Sequence, residues 1–79
     1  MRTNNLREVR REHGLALWGL AARTRVSATT LSAVERWDYL PSLAVRQRIA
    51  SALGVDVLAI WPGNGLDGEV RRGPEDLAH

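Results

Sequence analysis

The sequence predicts an all-α fold, and three observations carry that expectation. Across residues 17–36, Leu17, Leu20, Ala21 and Thr24 repeat at helical spacing, and Leu31 and Val34 do so again after a tight turn. Ser27, Ser42 and Asp56 stand where an N-cap oxygen satisfies free amide donors, while Gly14 and Gly54 stand where a helix closes in the left-handed region. The two short patterns over 17–36 are too small to bury their own apolar sides, so each must pack on a neighbour. Together they predict a helix-turn-helix whose second helix is presented outward.

A chain of 79 residues makes one small domain, burying about 60% of its extended surface and marginal without good helix packing. With no cysteine, neither a disulfide nor a thiolate metal site can supplement the core. The start, Met-Arg-Thr-Asn-Asn, is followed by no apolar run. Neither a signal peptide nor a membrane span is therefore expected, and a cytoplasmic location is the default.

The formal net charge of +2 hides an asymmetry. Residues 1–62 hold nine arginines against Glu8, Glu12, Glu35, Asp38 and Asp56, whereas residues 63–79 hold Arg71 and Arg72 against Asp67, Glu69, Glu75 and Asp76. A basic folded part with an acidic end fits a polyanion partner, although such an excess is also ordinary for a small domain. The absence of lysine reads as compositional bias and carries no functional weight.

The first helix is expected from Asn4 or Asn5 to His13; Thr3, Asn4 and Asn5 can all cap it, and Asn5 and Glu8 have near capping-box spacing. Leu6, Val9, Arg10 and His13 fall on one side, and Arg7, Glu8, Arg11 and Glu12 face water. Arg10 on the buried side needs a partner, because an unpaired interior charge is costly; Glu35 is the candidate. The second helix spans Leu17 to Thr24, with the small Ala21 admitting a close crossing and Val26 plugging the turn. The third runs from Ala28 to Arg36, leaving Ala28, Thr29, Ser32 and Ala33 outward. Residues 37–41 form a loop in which Trp37 and Leu40 are expected to cover the edge of the core. Ser42 caps a fourth helix ending before Gly54, with an inner stripe of Leu43, Ile49, Ala50 and Leu53. Arg46 lies near that stripe, its stem expected to be buried and its head solvated. Asp56 caps a last helix, Val57 to Trp61, stopped by Pro62. From Gly63 the Gly-rich, charged segment predicts a flexible tail, giving a domain over 1–62 and a tail over 63–79.

The order Leu6, Arg10, Leu20-Ala21, Val26-Ser27, Leu31, Glu35-Arg36, Pro41-Ser42-Leu43, Ile49-Ala50, Ala52-Leu53-Gly54-Val55 resembles the phage repressor/Cro-type (Xre-like) helix-turn-helix family over residues 4–61. The resemblance implies a five-helix, lambda-repressor-like domain that binds double-stranded DNA as a transcriptional regulator. It also implies that an Arg10–Glu35 pair ties helix one to the end of the recognition helix. A dimer through the last helix is implied as well, for which outward Leu58 is the candidate contact. A protein-interaction module on the same fold, such as an antitoxin or co-regulator, is the alternative.

Under the DNA reading, Ser27 and Thr30 start the recognition helix, and Thr29 and Ser32 bond bases or phosphates. Ala28 and Ala33 meet a thymine methyl, since N-terminal residues of such a helix reach base edges. No Gln, Asn or Arg is placed there for a bidentate base contact, which shifts weight to shape, water and flanking arginines. Arg25, Arg36 and Tyr39 are the phosphate candidates. The chain departs from the family at five positions. Ala16 and Leu17 replace a capping serine and a glutamine, leaving the backbone N–H groups at the start of helix two to face a phosphate. Arg25 and Trp37 stand where glycine is common. Trp18 replaces a charged residue, and its place admits stacking on a sugar-phosphate, contact with a protein partner, or folding over helix one. The chain lacks a histidine pair, a phosphate-cradling glycine loop after a strand and converging carboxylates; catalysis, cofactor and metal are not expected.

Overall fold

The computed structural model describes residues 3–63, and they form five α-helices with no strand among them. These are α1 (Leu6–Glu12), α2 (Leu17–Thr24), α3 (Ala28–Trp37), α4 (Leu43–Leu53) and α5 (Val57–Ile60). The expected tail, apart from Gly63, lies outside the described residues. No described helix is long and apolar enough to cross a membrane.

Local chemistry sets the helix ends. Ser27 accepts the Thr30 N–H at 3.1 Å, Ser42 that of Val45 at 3.3 Å, and Asp56 that of Leu58 at 2.8 Å, each satisfying a donor that a helix start leaves free. Gly14 and Gly54 close α1 and α4 at φ 67° and 68°. In each case the N–H of the residue after the glycine reaches back five positions, Leu15 to the Arg10 carbonyl and Val55 to that of Ala50, the closure that left-handed residues permit. Arg25 and Asp38 end α2 and α3 in the same region without being glycine, at φ 60° and 59°; there the Val26 N–H is taken by Thr24 Oγ1 at 3.1 Å and the Tyr39 N–H reaches the Ala33 carbonyl at 3.2 Å.

α2 packs against α3 and α4, α4 against α5, and α1 against α3. The shared core holds Leu6, Val9, Leu20, Val26, Leu31, Val34, Leu40, Ile49, Leu53, Ile60 and the whole of Trp61. Burying each large apolar side chain stabilises the fold by about 1.5–3 kcal/mol before the loss of chain entropy. The ends of the fold meet, because Asn5 donates its N–H to the Ile60 carbonyl at 2.8 Å and its Nδ2 to that of Ala59 at 3.2 Å.

Several local expectations are corrected. α1 begins at Leu6 and ends at Glu12; of the three cap candidates it is Asn4 whose Oδ1 takes the Leu6 N–H, at 3.0 Å, while Asn5 makes no side-chain cap bond. Arg7 does not simply face water: its Nε lies 3.6 Å from Glu35 Oε1. His13 is exposed, its ring nitrogen 2.8 Å from the Val9 carbonyl. Leu43 is only half-buried. Arg46 is buried entirely, head as well as stem, with 0% exposure and Nε donating to the Pro41 carbonyl at 3.1 Å. The carbonyl ahead of Ser42 draws the guanidinium inward. α3 runs one residue further, through Trp37, and α5 stops at Ile60.

Candidate nucleic-acid interface

The geometry of α3 follows from what holds its inner face. Leu31 and Val34 are fully buried beneath it, and Glu35 is 3% exposed. A buried carboxylate is tolerable only with donors around it, and Arg10 supplies them in a two-pronged pair: Nε to Oε2 at 2.7 Å and Nη2 to Oε1 at 3.0 Å. Arg10 Nη1 donates in addition to the Leu15 carbonyl at 2.8 Å. The Glu35 carboxylate raises the guanidinium pKa still further above its ordinary value, chiefly through the hydrogen bond and also through charge attraction, against an opposing effect of burial. This one side chain thus fixes α3 to α1 and to the loop before α2.

Successive helical residues are turned by roughly 100°, so the face opposite Leu31 and Val34 carries Thr29 and Arg36. Both are exposed, as is Ala28, while Thr30, Ser32 and Ala33 are half-buried along the flanks. Ser27 and Thr30 are joined by a hydroxyl–hydroxyl bond of 2.9 Å, which leaves the Thr30 oxygen partly committed within the protein. Leu17 is half-buried and packs on the core, so at the start of α2 the outward features are the backbone N–H groups and Trp18. Ala16, the N-cap of α2, makes no side-chain bond to them. These N–H groups, with the positive end of the helix dipole, suit an anion.

Arg25 is exposed in the turn, held left-handed with its carbonyl accepting from Arg48 Nη2 at 2.9 Å. Tyr39 is half-buried against the core at the far end of α3. Trp18 and Trp37 are 76% and 77% exposed. Folding of Trp18 over helix one is thereby excluded, and the expectation that Trp37 covers the core edge is overturned; Leu40 alone of that pair is buried. The extra residue of α3 explains the difference, since it carries Trp37 round to the flank shared with Thr30 and Ala33.

What sequence reasoning missed is the role of Asp38, and that Asn4, one of the cap candidates, also reaches it. Asp38 Oδ1 and Oδ2 accept the Thr3 N–H at 3.0 and 2.9 Å, and Oδ1 accepts from Asn4 Nδ2 at 2.9 Å. Contacts 34 and 35 residues apart leave no periodic trace. The available signal was an Asn ahead of the first helix and an acid just after the third. Among the described residues, no three of His, Cys, Asp and Glu gather as a metal site would require.

Comparison with known proteins agrees with this geometry. Residues 6–60 match the family model described as helix-turn-helix. The chain is 37% identical over 75 residues to the HTH-type transcriptional regulator DdrOP3 of Deinococcus deserti, covering 92% of this chain and 58% of that protein. It is 47% identical over 49 residues to an uncharacterized HTH-type transcriptional regulator of Methanothermobacter thermautotrophicus, covering 62% of this chain and 71% of the relative. The chain therefore spans a little over half the length of the Deinococcus protein. From the family match across most of its length and the two-helix unit that carries it, the chain belongs to the Xre-like helix-turn-helix family.

Proposed function

We propose that the domain binds double-stranded DNA sequence-selectively as a small repressor or Cro-like transcriptional regulator, with α3 entering the major groove. The observation that carries this reading is the division of α3. Its inner face is locked by Leu31, Val34 and Glu35, while Ala28, Thr29 and Arg36 are left to solvent. An α-helix so presented fits the groove with its first residues at base edges. The start of α2, Arg25, Arg36 and Tyr39 then face the phosphates on either side. Leu58, 43% exposed on α5, is the contact through which two copies would pair, placing two half-sites about 34 Å apart. The cytoplasm is where such a regulator meets DNA.

The test is selection of bound genomic fragments, followed by footprinting and titration against salt. Binding should weaken steeply as salt rises, because released counterions dominate affinity. R36A should weaken binding evenly across sequences and lower the salt slope by about 1, whereas T29A should relax the preference at one base position. No retained fragment at low salt sinks the reading.

A second reading, a protein-interaction module such as an antitoxin or co-regulator, is favoured by the two exposed indoles of Trp18 and Trp37. Tryptophans are prominent among interface anchors. A T29A/R36A double variant that keeps its DNA but loses a co-purifying partner would favour it.

A further inference from the structure

Asp38 ends the recognition helix in the left-handed region, at φ 59° and ψ 29°, a conformation in which a side chain is tolerated when it bonds locally. Its carboxylate turns to the N-terminal segment: both oxygens accept the Thr3 N–H, and Oδ1 also accepts the Asn4 amide. Asn4, 3% exposed, then joins three places at once. Its Nδ2 donates to the Val34 carbonyl near the end of α3 at 3.0 Å as well as to Asp38, and its Oδ1 receives the Leu6 N–H at the start of α1. The chain thus passes from Arg36 to Tyr39 through a corner whose shape is set by residues 34 positions earlier. Two neutral donors inside the protein hold the carboxylate turned to the N-terminal segment.

We propose that Asp38 is a positioning residue for DNA binding: clasped by the Thr3 N–H and the Asn4 amide, it sets the placement of Arg36 and Tyr39. The inference rests on the DNA-binding reading above, and it makes affinity depend on an N-terminal backbone N–H that touches no nucleic acid.

The experiment uses the full chain and the tightest fragment from the genomic selection, with affinity and thermal midpoint measured side by side. T3P removes the N–H and leaves the carboxylate in place. D38G removes the carboxylate and keeps the left-handed corner without steric cost. Each should bind roughly tenfold more weakly, the scale of a lost charge-assisted hydrogen bond, a loss larger than any accompanying fall in the thermal midpoint accounts for. The two losses should not add in the T3P/D38G double variant, because both break one contact. D38N, which tolerates the corner and retains an acceptor oxygen, should recover most of the affinity.

T3P and D38G both binding as tightly as the parent overturns the proposal, as do losses that multiply in the double variant. Affinity falling only in step with the thermal midpoint also overturns it, since Asp38 would then be scaffold alone. A parent chain that retains no fragment defeats the DNA-binding reading, and this inference with it. A parent that binds beside unaffected variants defeats the inference alone.

Discussion

Arg48 Nη2 reaches the Arg25 carbonyl at 2.9 Å, so a side chain from α4 holds the corner between α2 and α3. The same nitrogen donates to the Thr24 carbonyl at 3.0 Å. Both acceptors lie at the C-terminal end of α2, where carbonyls lack helical partners and a cation is favoured. Because Arg48 is exposed, solvent screens much of the attraction. R48A is expected to lower stability by about 1 kcal/mol in urea unfolding. R48K should recover only part of it, a point charge being a poorer fit to two carbonyls.

Arg25 itself carries opposing demands. Its left-handed backbone, φ 60° and ψ 28°, costs roughly 1–2 kcal/mol relative to the right-handed form. R25G relieves that strain but adds freedom to the unfolded chain. A net gain of about 0.5 kcal/mol is expected in thermal unfolding. If the charge faces a phosphate, as proposed, the same variant binds DNA more weakly with a shallower salt slope. Stability and affinity should therefore move in opposite directions.

The Arg10–Glu35 pair offers a sharper contrast. E35A leaves the Arg10 guanidinium, whose side chain is only 13% exposed, without its two-pronged acceptor. Breaking a buried pair from one side costs about 3 kcal/mol or more, chiefly from the stranded charge. An R10M/E35L double variant removes both charges and should be distinctly more stable than E35A. Denaturant midpoints for the parent, R10M, E35L and the double give the coupling; a double variant no better than E35A would show that the charges are not the main cost.

The three tryptophans should separate by environment. Trp61 has 0% exposure, and its Nε1 finds no acceptor among the described residues, whereas Trp18 and Trp37 stand in solvent. Iodide should quench the latter two and spare Trp61. W18A and W37A are each expected to change stability by less than about 0.5 kcal/mol, as surface changes away from special contacts do. A larger loss in either would mean that the indole covers something in the folded state.

Where the chain announces its structure, it does so through local chemistry. The bounds of α2 follow from the spacing of Leu17, Leu20, Ala21 and Thr24, and the starts of α3, α4 and α5 from Ser27, Ser42 and Asp56. Gly14 and Gly54 mark two ends for the same reason, an φ that glycine takes without strain. Arg46 escaped because charge alone argues for water, while a backbone carbonyl that reverses the argument is placed only once Pro41 is folded beside it. Trp37 escaped because its exposure depends on α3 continuing one residue more. The outward face of α3 was readable as the remainder of a helix whose inner positions are apolar. The clasp at Asp38 joins segments far apart in the chain, and neither pattern nor propensity reports such a meeting.

The bond from Asn5 to Ile60 makes the start and finish of the five-helix body neighbours. Whatever is appended before α1 or after α5 departs from a common edge. That adjacency makes the domain easy to insert between two other segments, since the flanking chain would enter and leave at almost the same point. Joining the ends with a short linker and opening the ring at the α4–α5 turn should leave the α2–α3 unit undisturbed.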